Sequence, residues 1–440
     1  MLGGLGRLLG LIAVASYSGD AIDSSSSETI SERWSYTYFV HEPYMTRWQE
    51  FSGFADSEGN LYWMKCYANY FVTGCSLRST DRDGDLRFET SLGDGDARAV
   101  GVGINLVAGN VLVTSFRLGL VYANLSGRST SDGSVLWTLR LNDALPGMIA
   151  REVGGVAHDR FGRLVVSAIG IDPPYGAHVS AVLSVSSGTG ETIWKRAVPR
   201  LSPADDVVIG RSVVDEAGNA YFFERHYYGD RYRWLIASVD PNGERRFETQ
   251  TDFGLGPIAV AHGRLVIWDP YHDFGELLDT TTGARIVRLP GLAEGTVLIS
   301  HDLGFFIEKS ILPDPPAGVP GRAALAAFDL ASGQIQWRFP LRNFEGRKAP
   351  LLTDGGNVLL IDKSTLLEIS PQGELLQATR LGGLTEELTG SNALLIEGRW
   401  FGVSGPTVMA YDLPGAPGEA RLGWNSRFGN AQHDNHPREK

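Results

Sequence analysis

Two cysteines, Cys66 and Cys75, are the only thiols in the chain, and they flank the segment YANYFVTG. Folded back as a hairpin, that segment would join them as a disulfide, which forms in an oxidising compartment; the other reading is two buried free thiols. A zinc site wants four ligands, and no histidine lies near either cysteine. Asp81, Asp83 and Asp85 alternate, with Glu89 beyond them, an oxygen-rich pattern of the kind that holds calcium. The full twelve-residue loop spacing is missing. Among nine histidines the one close pair is His433 and His436, in a polar ending where imidazoles are ordinarily solvated. Asp215, His262 and Asp354 occupy similar places in a repeat and would suit a hydrolase or lyase if they met on a common axis. The stretch FERHYYGDRYRW (223–234) concentrates Arg and Tyr, residues favoured at binding hot spots. Tyr227, Tyr228, Arg231 and Arg233 are the candidate contact residues there, on a long loop. No Gly-x-Ser-x-Gly, Walker loop or zinc-protease motif occurs. The expectation is therefore no catalytic residue, no metal ligand and no cofactor.

The elements that must position these residues follow from an internal repeat. Turns with glycine lead into apolar runs at Gly59, Gly109, Gly162, Gly218, Gly263, Gly304, Gly355 and Gly398, spaced 41–56 residues apart. After each comes a polar turn ending in glycine, with a bulky residue four positions on. The pairs are Gly84 and Phe88, Gly133 and Trp137, Gly190 and Trp194, Gly243 and Phe247, Gly283 and Val287, Gly333 and Trp337, Gly373 and Gln377, and Gly418 and Leu422. Val287, Gln377 and Leu422 depart from the aromatic rule. Asp-Gly, Asn-Gly and Thr-Gly pairs supply the positive φ that tight hairpins need. The runs between them are rich in Val, Ile, Leu, Phe, Tyr and Trp and read as strands. A unit of about four short strands cannot bury both faces alone, so units must stack, and closing the series into a ring protects its ends. The expected fold is all-β: an eight-bladed β-propeller of four-stranded antiparallel blades, over about 34–430. In that arrangement Asp83-Gly84 aligns with Thr189-Gly190 and Ser332-Gly333, so the calcium-like motif reads as an ordinary hairpin turn.

Ala327-Phe-Asp329-Leu-Ala-Ser332-Gly333-Gln-Ile-Gln-Trp337 resembles the signature of the pyrroloquinoline-quinone-type (PQQ-like) propeller repeats, Ala-x-Asp-x-x-Thr-Gly-x-x-x-Trp. Leu277-x-Asp279-x-x-Thr282-Gly283 keeps the turn half, and Ser184-x-Ser186-x-x-Thr189-Gly190 keeps the Thr-Gly and Trp194. The resemblance implies that Phe88, Trp137, Trp194, Phe247 and Trp337 dock each blade on a neighbour's glycine turn. It also implies that Trp424-x-x-x-Phe428-x-Asn430 in the tail closes the ring on the first or last sheet. Quinone-dependent members carry adjacent cysteines and a Glu, Asn and Asp set around calcium; adjacent cysteines are absent here. The resemblance extends to the non-catalytic propeller lipoproteins of outer-membrane assembly, which work as scaffolds. It implies protein partners in the envelope; glycan is the alternative ligand.

Composition sets outer limits. Charged residues are 20% and hydrophobic residues 43%, which excludes wholesale disorder. Glycine is 54 of 440 residues, well above the usual share of about 7%, and fits many tight turns. The net charge of −12 argues against nucleic acid and anionic membranes as electrostatic partners. Leu8–Ala15 is an unbroken apolar run, with Ala13-Val14-Ala15 before Ser16, as in a signal peptide over 1–15. It is too short to span a bilayer. Residues 16–33, with Ser24–Ser27, read as a tether, and 431–440 as a polar tail. The expectation is an exported, monomeric protein of the periplasm, cell envelope or extracellular space.

Overall fold

The computed structural model describes residues 28–30 and 33–37, residues 54–413 apart from several connecting segments, and residues 424–425 and 429–430. Its regular structure is almost wholly strand, with one four-residue helix at Leu141–Ala144. Eight antiparallel sheets follow one another along the chain, over 54–91, 99–140, 149–197, 206–251, 258–290, 298–341, 351–381 and 394–412. These are called blades 1 to 8. Within each, successive strands lie side by side from inner to outer edge. The inner strands of blades 1 to 7 contact one another in order, and that of blade 8, Leu394–Ile396, lies against Phe54–Ala55 of blade 1. The ring is closed, and the architecture is the eight-bladed propeller to which the repeat pointed.

Strand alternation explains the stacking. Along Leu303–Lys309 of blade 6, Phe305 and Ile307 enter a cluster with Leu352, Val358 and Leu360 of blade 7. Phe306, between them in sequence, enters a cluster with Val266, Trp268 and Leu277 of blade 5. Successive side chains point to opposite faces, so middle strands buried on both faces are almost continuously apolar. Each such buried side chain contributes about 1.5–3 kcal/mol. Outer strands instead alternate, as Ile335–Leu341 does between half-buried and exposed positions.

Three details depart from the expected repeat. In blade 6 the left-handed turn residue is His301 (φ 52), while Gly304 lies within the strand Leu303–Lys309. The Phe328 ring occupies the space a Cβ on Gly304 would need, so that glycine serves packing rather than the turn. In blade 7 the positive φ belongs to Gly356 (φ 80), one residue after the expected position. The third departure concerns closure. Gly418 and Leu422 lie outside the described residues, and the fourth strand of blade 8 is Trp34–Thr37, paired antiparallel with Thr407–Asp412.

With that outer place taken, the tail goes elsewhere. Trp424–Asn425 pairs with Leu351–Leu352 at the inner edge of blade 7 and contacts Leu394–Ile396 of blade 8, so it fills the seam between them. Closure through the first or last sheet is therefore corrected to a seat on the seventh. Glu28–Ile30, within the stretch read as a tether, pairs in parallel with Thr379–Leu381 on the outer edge of blade 7. Among the described residues no helix is long and apolar enough to cross a membrane.

Candidate interaction surface

In an antiparallel blade the first and third turns emerge on one face of the ring and the second turn on the other. The two faces have different chemistry here. The first-and-third-turn face is occupied by contacts that lock blades together. Trp137 of blade 2 covers Gly190 of blade 3, with ring carbon 2.6 Å from where a Cβ would stand, and its Nε1–H donates to Ser187 O (2.9 Å). Trp194 stands in the same way on Gly243 and donates to Pro241 O (2.9 Å). Trp337 stands on Gly373 and donates to Pro371 O (2.8 Å). Phe88 packs on Gly133, Phe247 on Gly283, and Val287 on Gly333. In each of these six outer strands, a register irregularity falls beside the packing residue and re-aims it.

Further locks recur on the same face. Asp56 accepts from the Glu58 and Asn60 N–H groups (2.9 Å each) and from Tyr62 OH (2.6 Å). Arg87 donates to the Tyr62 oxygen (3.0 Å) and to Thr130 O of blade 2 (3.2 Å). Blade 4 repeats the arrangement. Asp215 accepts from Ala217 N, Asn219 N and Tyr221 OH (2.7 Å), and Arg246 donates to the Tyr221 oxygen (2.9 Å). Burial first, and then the neighbouring aspartate, hold both phenols well above the usual tyrosine range. They remain neutral donors. These residues share the spacing Asp-x-x-Gly-Asn-x-Tyr and an arginine 25 residues after the tyrosine. That spacing was the signal for the lock, which a search for turns alone passes over.

The residues singled out for chemistry are engaged in turns. Asp81 accepts from the backbone N–H of Asp83 and Asp85 (2.9 Å each), and Gly84 has φ 91, the geometry of a hairpin turn. Asp83 meets Arg399 and Arg33. Asp215 is committed to the lock just described, and His262 is itself a turn residue (φ 51). Asp354, the third residue of that set, and His433 and His436 lie outside the described residues. Among the described residues no group of three or more His, Cys, Asp or Glu side chains is placed to hold a metal ion. Cys75 is disulfide-bonded, and the chain's other cysteine, Cys66, is its register partner across the hairpin Leu61–Thr80.

The opposite face carries exposed tyrosines on three consecutive blades. Tyr122 begins the third strand of blade 2 and is 52% exposed. Tyr175, 60% exposed, stands in the second turn of blade 3 after Pro173-Pro174. That turn is held by Asp172, which accepts from Arg200 (2.5 Å) and whose carbonyl accepts from Gly176 N (2.8 Å). Tyr227 (42%) and Tyr232 (62%) face each other across the second hairpin of blade 4. The stretch expected as a long loop is two nine-residue strands, Ala220–Tyr228 and Arg231–Val239, joined by residues 229–230. Its period-two alternation was masked by the density of Arg and Tyr. Arg231 is the register partner of Tyr228, and Arg233 is exposed and donates to Gln250 (3.1 Å). Tyr122 and Tyr175 were not singled out in the sequence. Their signal was position, since each falls between the two landmarks of its unit and so on the face opposite the locks.

No protein-family model matches the sequence, and no curated protein matches it. Solved structures similar to it include BamB from Moraxella catarrhalis, 14% identical, with 83% of this chain and 97% of that chain covered and a TM-score of 0.44. The dihydro-heme d1 dehydrogenase NirN in complex with DHE is 13% identical, with 90% and 77% covered and a TM-score of 0.46. The WD40 domain of Pan2 from Neurospora crassa is 8% identical, with 83% and 89% covered and a TM-score of 0.42. These are likenesses of fold.

Proposed function

We propose that this propeller is an exported, non-catalytic scaffold of the cell envelope that binds a partner protein through the tyrosine-bearing face of blades 2 to 4. One observation carries the reading: four tyrosines, each 42–62% exposed, stand on short turns and hairpins of consecutive blades, on the face opposite the Trp–Gly and Asp–Tyr–Arg locks. Tyrosine offers a large contact area at the cost of only two rotatable side-chain bonds, and a rigid ring spares the ordering entropy that binding otherwise costs. Export is supported by the apolar run Leu8–Ala15 and by the disulfide at Cys75, a bond that persists in oxidising compartments.

The test places a photo-crosslinking residue at Tyr175 and compares envelope proteins captured with and without Tyr122→Ser, Tyr227→Ser and Tyr232→Ser. Leu376→Ser, an exposed position on the outer strand of blade 7, serves as control. The expected result is one discrete adduct, reduced at least tenfold by the tyrosine substitutions and unchanged by Leu376→Ser. Equal capture in all variants overturns the proposal.

A further inference from the structure

We propose that the blade 4 hairpin takes up an extended acidic segment of the partner as an added β-strand along Arg231–Arg233. The proposal rests on the scaffold reading above and names the partner's chemistry. The outer strand of blade 4, Arg245–Thr251, ends opposite Trp234. The third strand, Arg231–Val239, therefore runs three residues past its outer neighbour. Backbone groups on such an edge are a template for another strand. The fold already shows this mode, because Glu28–Ile30 lies in parallel on the outer edge of blade 7.

The side chains beside the overhang set what is recognised. Tyr227 is paired with Tyr232, and Arg225 with Trp234, on one face of the hairpin. Tyr232 meets Trp234 edge-on at 5.7 Å, and the Arg225 guanidinium lies 5.5 Å over the Trp234 ring. Trp234 is seated on Gly254, which anchors the ladder. An incoming strand places alternate side chains on this aromatic surface. Residues 225–234 also carry three arginines and one aspartate, in a chain of net charge −12. Arg225 and the exposed Arg233, cations beside this edge of an acidic chain, favour carboxylates in the incoming segment and disfavour lysines.

The probe is a fluorescein-labelled ten-residue peptide alternating Val and Glu, followed by fluorescence anisotropy at 25 and 300 mM NaCl. Comparison peptides alternate Val and Lys, or carry N-methyl groups on one or the other alternate set of backbone nitrogens. The expected result is binding of the Val-Glu peptide, weakened by salt, and at least tenfold weaker binding of the Val-Lys peptide. One N-methylated set loses binding at least tenfold and the other retains it, since only alternate N–H groups face the hairpin. Arg231→Glu with Arg233→Glu reverses the peptide preference while the circular dichroism spectrum and melting temperature stay at wild-type values. Absence of Val-Glu binding, equal binding of both charges, or indifference to both methylation patterns overturns strand addition. Crosslinking at Tyr175 is unaffected by those outcomes, so failure here is distinguishable from failure of the scaffold reading.

Discussion

Arg399, the first residue of the second strand of blade 8, donates to the backbone carbonyl of Arg82 in the third turn of blade 1. The same guanidinium reaches the Asp83 carboxylate (3.2 Å) and, through Nε, Asp412 (2.5 Å). This side chain, only 7% exposed, joins the last blade to the first. Arg33, just before the N-terminal strand, spans Asp412 and Asp83 at 3.5 and 3.6 Å but is 52% exposed. Ring closure therefore has a buried lock and an exposed companion.

Arg399→Ala should cost about 1.5–3 kcal/mol, the worth of a charge-assisted hydrogen bond whose acceptor is left behind. Arg33→Ala should cost less than about 1 kcal/mol, as exposed ion pairs do. Urea denaturation of the two variants measures the difference. Equal midpoints would mean that the buried bond contributes nothing special.

Asp83 is held below the usual carboxylate range by its hydrogen bond to Arg399, with the charges of Arg399 and Arg33 adding to it. A depressed folded-state pKa stabilises the fold above the unfolded-state value of about 3.9 and ceases to do so as pH falls through the folded-state value. Asp329 is lowered by its Ser332 hydrogen bonds and Asp132 by Ser134. Melting temperature should be flat with respect to these groups near neutrality and fall below about pH 4. Asp83→Asn should reduce the acid-limb slope, and an unchanged slope between pH 4 and pH 2.5 would refute the assignment.

Trp137 is buried between blades 2 and 3, and its replacement by alanine should cost about 3–5 kcal/mol. Trp137→Phe keeps a ring over Gly190 and loses mainly the bond to Ser187 O, about 1 kcal/mol. Gly190→Ala should also be strongly destabilising, since φ is 74 and the new methyl would meet the indole at 2.6 Å. Chemical denaturation orders the three variants; a Phe variant as weak as the Ala variant would show that the hydrogen bond outweighs packing.

The repeat made the blade count legible because every unit places a Gly, and most an aromatic residue after it, where hairpin geometry demands them. Gly190 and Trp194 show this in blade 3. Positions where another residue can meet the same demand were less legible. His301 adopts the left-handed conformation in blade 6, so the glycine beside it, Gly304, was misread as the turn. Blade 8's outer strand was hidden for a different reason. Trp34–Thr37 is four residues long and 370 positions from its partner Thr407, and no local pattern encodes so distant a pairing. The tyrosine face needed topology as well as composition, since only the up-and-down course of the strands puts Tyr122, Tyr175 and Tyr232 on one side.

The strand Trp34–Thr37 also gives the molecule a timetable. A ribosome delivers Thr37 370 residues before its partner Thr407, yet the eighth sheet needs both. Until Thr407–Asp412 has been made the growing polypeptide is an open arc with a bare sheet at each extremity. Any chaperone that accompanies it must shield those two surfaces, and a product truncated before the final unit has nothing with which to shut.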